Sequence, residues 1–184
     1  MKPIKTLTLF LFVIVCLVVS IPQMGWSQGV MKGSAPVITA SYAVEKGRYG
    51  DVLKIYIEAF DPDADMSRIA VSVHQTGYGH YPTDWIIVKP QFRKQMKGFI
   101  QWNTFSSRTG SLSEWTNITL TLSIFDRAGN ESNEVVFPFV FVSGTHRERK
   151  PPAPFNEEGL ARLGHVFIDL MDPIMMAGGL RRED

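Results

Sequence analysis

The stretch DVLKIYIEAFDPDADMSRIAVSVH, Asp51 to His74, decides the fold. In its first half Leu53, Ile55, Ile57 and Ala59 fall on one face, while Lys54, Tyr56 and Glu58 fall on the other. Successive side chains of a strand point to opposite faces, so this period of two marks a strand with one wet face. The second half repeats the pattern with Ile69, Val71 and Val73. Between the halves, Asp61, Asp63 and Asp65 stand at alternate positions around Pro62.

Working outward, NITLTLSIF repeats the alternation through Ile118, Leu120, Leu122 and Ile124. PVITASYA lies before the deciding stretch; DWIIVK, GFIQWN and NEVVFPFVFV lie beyond it. Short alternating runs separated by Gly, Pro, Asp and Asn predict an all-β domain, and about seven strands is the number expected of an immunoglobulin-like sandwich. Helical periodicity is missing from Ala35 to Ser143, which argues against an α/β enzyme architecture.

The last of these runs is apolar on both sides. Phe137, Phe139 and Phe141 make one face, and Val136, Val140 and Val142 make the other. Pro138 removes a ladder donor and places the strand at an edge or a bulge, where its apolar surface calls for a cover. A proline-stiffened linker, residues 144–155, leads to NEEGLARLGHVFIDLMDP. Here Asn156 suits an N-cap, Glu157 and Glu158 the first turn, and Pro173 a stop, so residues 156–184 are read as a C-terminal amphipathic helix and tail. Leu160, Leu163, Phe167, Leu170 and Met171 form its apolar stripe. The helix is expected to fold back over Val136, Val140 and Val142, or to dock in a groove on another protein. Glu157, Glu158, Asp169 and Asp172 make its polar face too acidic for a membrane surface.

IFDRAGNESNEVVF, Ile124 to Phe137, resembles the final hairpin of bacterial immunoglobulin-like and fibronectin type III-like domains, where an Asp-x-x-Gly-Asn turn joins the last two strands. AFDPDADMSRIAVSV resembles a corner between the second and third strands of the same broad group, which includes cadherin-like modules. The resemblance covers residues 35–143 and implies a fold; sandwiches of this kind host many unrelated jobs. The chain departs from antibody-type members in lacking paired cysteines and a tyrosine corner. The resemblance implies that both turns lie at one pole, so that Asp61, Asp63 and Asp65 meet Asp126 and Asn130. Calcium takes six to eight oxygen ligands, and such a pole could supply them. The alternative is a solvated turn in which the aspartates cap backbone donors. Met66 stands where calcium loops place glycine, and no glutamate closes the loop.

The connection HQTGYGHYPTDWIIVKP gathers Tyr78, His80, Tyr81 and Trp85, a candidate loop for binding a carbohydrate or another ligand such as a peptide. The same residues could instead fill the loop's own packing. His74 and His80 lack the spacing of a zinc site. No nucleophile elbow or base partner is recognisable, and the chain's one cysteine, Cys16, lies near the N-terminus, so no enzyme is expected.

Lys2 and Lys5 precede an apolar run from Leu7 to Ile21, the pattern of a secretory signal over residues 1–27, with an uncleaved N-terminal anchor as the alternative. Gly25 and Ser27 suit a cut before Gln28, leaving a short lead, residues 28–34. Removing residues 1–27 leaves 17 basic against 18 acidic residues, a balance that gives no electrostatic reason to expect nucleic acid as a partner. The reading is an exported, periplasmic or secreted, non-catalytic module of the cell envelope that binds another envelope protein.

Overall fold

The alternation becomes strands in a computed structural model that describes residues 33–107, 112, 114–143 and 150–172. The expected signal segment, most of the lead, residues 144–149 of the linker and the tail from 173 onward lie outside the described residues. All described residues belong to one unit, Met31–Asp184. In chain order the strands are β1 (Val37–Ala43), β2 (Lys46–Gly47), β3 (Val52–Phe60), β4 (Met66–Gln75), β5 (Gly79–His80), β6 (Asp84–Ile87), β7 (Gln95–Asn103), β8 (Asn117–Asp126), β9 (Val135–Phe141) and β10 (Ala161–Val166). All seven strands read from the sequence are present. β2 and β5 are two residues each, too short to leave a period.

The described residues form an all-β domain with two sheets. One runs β1-β3-β7-β10, the other β2-β9-β8-β4, with β5 and β6 pairing with successive parts of the outer edge of β4. The inward positions of the deciding stretch, Leu53, Ile55, Ile57, Ala59, Ile69, Val71 and Val73, are all buried. Ile100 and Trp102 join them from β7, and Leu120, Leu122, Phe137, Phe139 and Phe141 from β8 and β9. Fully burying each large apolar side chain contributes about 1.5–3 kcal/mol, which makes this layer the main source of stability.

The expected C-terminal helix is corrected by the structure. Residues 161–166 form a strand that pairs in parallel with β7, from Ala161 opposite Gly98 to Val166 opposite Trp102. Burial follows period two: Val166, Ile168 and Leu170 are buried, whereas Phe167 is 84% exposed. Three causes favour the strand. Gly159 and Gly164 disfavour a helix, each by about 1 kcal/mol relative to alanine; Val166 and Ile168 are β-branched; and the edge of β7 offers a row of backbone groups with which a strand, but not a helix, can pair. Two glycines let the strand fit. A Cβ on Gly98 would lie 2.2 Å from the Ala161 carbonyl oxygen, and one on Gly164 would lie 2.3 Å from Cγ2 of Ile86.

The route to β10 crosses the outer face of the first sheet. Phe155, from the linker, is buried there against Tyr56 at 5.6 Å between ring centroids, and Lys97 pairs with Glu157 at 2.8 Å. The chain therefore folds back on itself, but at the margin opposite to the one expected. The margin of β9 is served instead by β2, which pairs with Val140 and Phe141, and by Asn133, whose side-chain oxygen accepts from Ile38 N and whose amide donates to Ile38 O. Val136 stays 56% exposed, while Val140 and Val142 are half-buried.

Candidate functional site

Two constellations come together at different places on the sandwich. The first is the acidic pole. Asp61 is fully buried, and its two oxygens accept from Asp63 N at 3.1 Å and Asp65 N at 3.0 Å. Asp63 accepts from Ser34 N at 2.6 Å. Asp126, also buried, accepts from Asn130 N at 2.8 Å and from its side-chain amide at 2.6 Å. Arg127 N donates to Asp65 O, which ties the two turns together. The expected meeting of both turns at one pole is observed.

The oxygens that calcium would use are largely occupied by these turns. Among the described residues no three His, Cys, Asp or Glu side chains are disposed to hold a metal ion together. Asp65 is the exception: its Oδ1 is buried without a hydrogen-bond partner. Burial raises its pKa, and the hydrogen bond with the Asp61 side chain and the charges of Asp126, Asp61 and Asp63 raise it further.

The second constellation joins the tail to the Tyr78–Trp85 loop. Beyond β10, Phe167 N donates to Asp84 Oδ2 at 2.6 Å, and Trp102 Nε1 donates to Ile168 O at 3.0 Å. Gln75, fully buried at the end of β4, donates from Nε2 to Met171 O at 2.7 Å. The Tyr81 hydroxyl donates to Gln75 Oε1 at 2.5 Å and accepts from Met171 N at 2.8 Å, which closes a ring of three hydrogen bonds. Burial pushes the Tyr81 hydroxyl up to about 12, against the opposing effect of the Met171 hydrogen bond. Sequence reasoning missed Gln75, although the signal was there: it stands at the next inward position after Ile69, Val71 and Val73, where an amide must find a buried partner.

The four residues of the candidate ligand loop do not share one surface. Tyr81 is a buried clasp residue, with Tyr78 stacked on it at 4.6 Å. His80 lies beside His74 on the outer face of the second sheet. Trp85 packs against Phe125 at 5.5 Å, with the Arg68 guanidinium 4.4 Å from its ring. Of the candidate partner stripe, Leu163 and Leu170 are buried, Leu160 and Met171 are half-buried, and only Phe167 is presented to solvent.

The order β1-β3-β7 facing β9-β8-β4 matches that of constant-type immunoglobulin-like sandwiches, whose sheets carry strands A-B-E-D and C-F-G and whose architecture fibronectin type III-like domains share. β10 takes the place of strand D but runs parallel to its neighbour. No family model matches the chain, and no curated protein does. Among solved structures the chain is similar to one described as "Structures of Clostridium thermocellum CbhA fibronectin(III)-like modules", at 16% identity and a TM-score of 0.35, over 62% of this chain. It spans about half of that one, 52%.

Proposed function

We propose that this chain is a non-catalytic, exported binding or assembly module of the cell envelope, periplasmic or secreted, whose partner is another envelope protein. The observation that carries this reading is a set of large apolar side chains left in water beside the β6 and β10 margin: Trp85 at 43%, Ile87 at 71% and Phe167 at 84% exposure. Aromatic residues and arginine are enriched at the centres of protein interfaces, and Arg68 stacked on Trp85 adds to that character. β10 and the residues just after it contribute Phe167 to this margin, while Leu163, Val166, Ile168 and Leu170 are buried in the sandwich.

The test uses the full chain and a Trp85→Ser, Ile87→Ser, Phe167→Ser variant, with matching melting curves as the control for folding. A protein captured from envelope extract by the first and lost by the second supports the reading. Equal capture by both removes this margin as the docking surface. Glycan-array binding by the full chain that a Tyr78→Ala variant loses favours sugar recognition in the groove of about 380 Å³ that Tyr78, Asp84 and Asp169 help to line.

A further inference from the structure

The hairpin of β4 and β5 sets His74 directly opposite His80. Tyr81 N donates to Val73 O, so the hydrogen-bonding edge of β4 that faces β5 belongs to Val73 and Gln75, and the His74–His80 pair falls at a position without cross-strand bonds. Side chains at such positions approach closest. The imidazole centroids are 4.6 Å apart and the rings are tilted by 53°. Both histidines are accessible, on a groove of about 460 Å³ lined also by Ser72, Thr119, Thr121 and Glu134.

That separation falls within the range two imidazoles adopt on a single ion. A metal–nitrogen bond of about 2.0–2.1 Å puts each ring centroid about 3.2 Å from the metal, so ligands at about 90–109° have centroids about 4.5–5.2 Å apart. Stacking in parallel would prevent this, and the tilt avoids it. We propose that His74 and His80 form a cross-strand port for a borderline divalent transition ion, with Cu²⁺ bound most tightly by the Irving–Williams order. The protein supplies two ligands, since no third His, Cys, Asp or Glu among the described residues completes a set of three. Water fills the remaining positions, in a groove whose one carboxylate, Glu134, adds favourable charge. Two fixed ligands and several exchangeable ones make a site that loads and releases its ion readily.

The experiment titrates the full chain with Cu²⁺, following the heat of binding and the paramagnetic broadening of imidazole resonances. One equivalent should broaden His74 and His80 first. His74→Gln and His80→Gln should each weaken binding by at least about tenfold, the range already seen when only an outer partner of a ligand is lost. His165→Gln, on β10 beside Phe167 and not among the groove's lining residues, should leave it unchanged. Binding must also weaken on acidification, because imidazole ligates only when neutral. Unchanged affinity in both variants, or first broadening at other histidines, overturns the proposal. Matching melting curves keep a loss of binding from being mistaken for a loss of fold.

Discussion

The acidic pole and the tail clasp are both small networks of polar groups, yet they are built over very different chain distances. Asp61 bonds to residues two and four positions on, and Asp126 to one four positions on. Gln75 and Tyr81 reach Met171 across 96 and 90 positions. The first kind of contact is a property of the turn and is written in its local residues. The second exists only once two sheets have formed and a third element has been laid across their open flank. Turn networks therefore shape the corners of this sandwich, while the clasp closes it.

The largest expected effect comes from ending the chain at Phe155. This removes Leu163, Val166, Ile168 and Leu170, all buried, and uncovers Trp102 and Gln75. At about 1.5–3 kcal/mol for each lost apolar side chain, the loss rivals the whole stability of a domain. Calorimetry should find no cooperative transition, and a melting curve like that of the full chain would show that β10 is only an appendage.

Tyr81→Phe comes next, at about 1–3 kcal/mol, because Gln75 Oε1 and Met171 N each lose a buried partner. It also changes the response to alkali. Folding raises the Tyr81 pKa from 10.0 to about 12, so the folded chain keeps a proton that the unfolded chain releases in between. Stability should fall as pH rises from about 10 to about 12 in the parent, and this slope should vanish in the variant. Denaturant titrations at several pH values measure both effects.

At the pole, Asp61→Ala should cost about 1–2 kcal/mol, since two turn amides lose their acceptor. A loss larger than that of Tyr81→Phe in the same urea titrations would reverse the ranking of the two networks. Asp65→Asn should act the other way. The folded state holds the Asp65 proton above the ordinary pKa of 3.8, so stability is lost as pH rises from there through the raised pKa. The amide should stabilise the chain at neutral pH by less than about 1 kcal/mol, as solvent screens a partly exposed carboxyl, and the gain should disappear below the ordinary pKa. Melting curves at pH 7 and pH 3 test this.

The smallest effect is expected from calcium. With the oxygens of Asp61 and Asp126 already serving their turns, melting temperatures in millimolar calcium and in chelator should agree. A rise in calcium would show the carboxylates leaving those bonds to surround an ion.

The partition between legible and hidden features follows the same distances. The alternation in DVLKIYIEAF, RIAVSV and NITLTLSIF specifies strands, because a half-buried sheet imposes period two on its sequence. The meeting of Asp61–Asp65 with Asp126 and Asn130 was legible once the corner and the final hairpin were recognised. The tail misled because Leu160, Leu163, Phe167 and Leu170 also fit steps of three and four, and an isolated segment of that length is ambiguous between the two periods. His74 and His80 looked too poorly spaced for metal, since six positions along the chain reveal nothing until a hairpin folds them face to face.

Local chemistry alone thus determines which segments before Ser143 are strands, where the chain turns, and which aspartates tie those turns. Only the assembled sandwich decides the state of residues 156–172. The unpaired edge of β7, the glycine gap at Gly98 and the buried amide of Gln75 are surfaces that exist only after folding, and they select a strand and a clasp where the tail's own pattern allowed a helix.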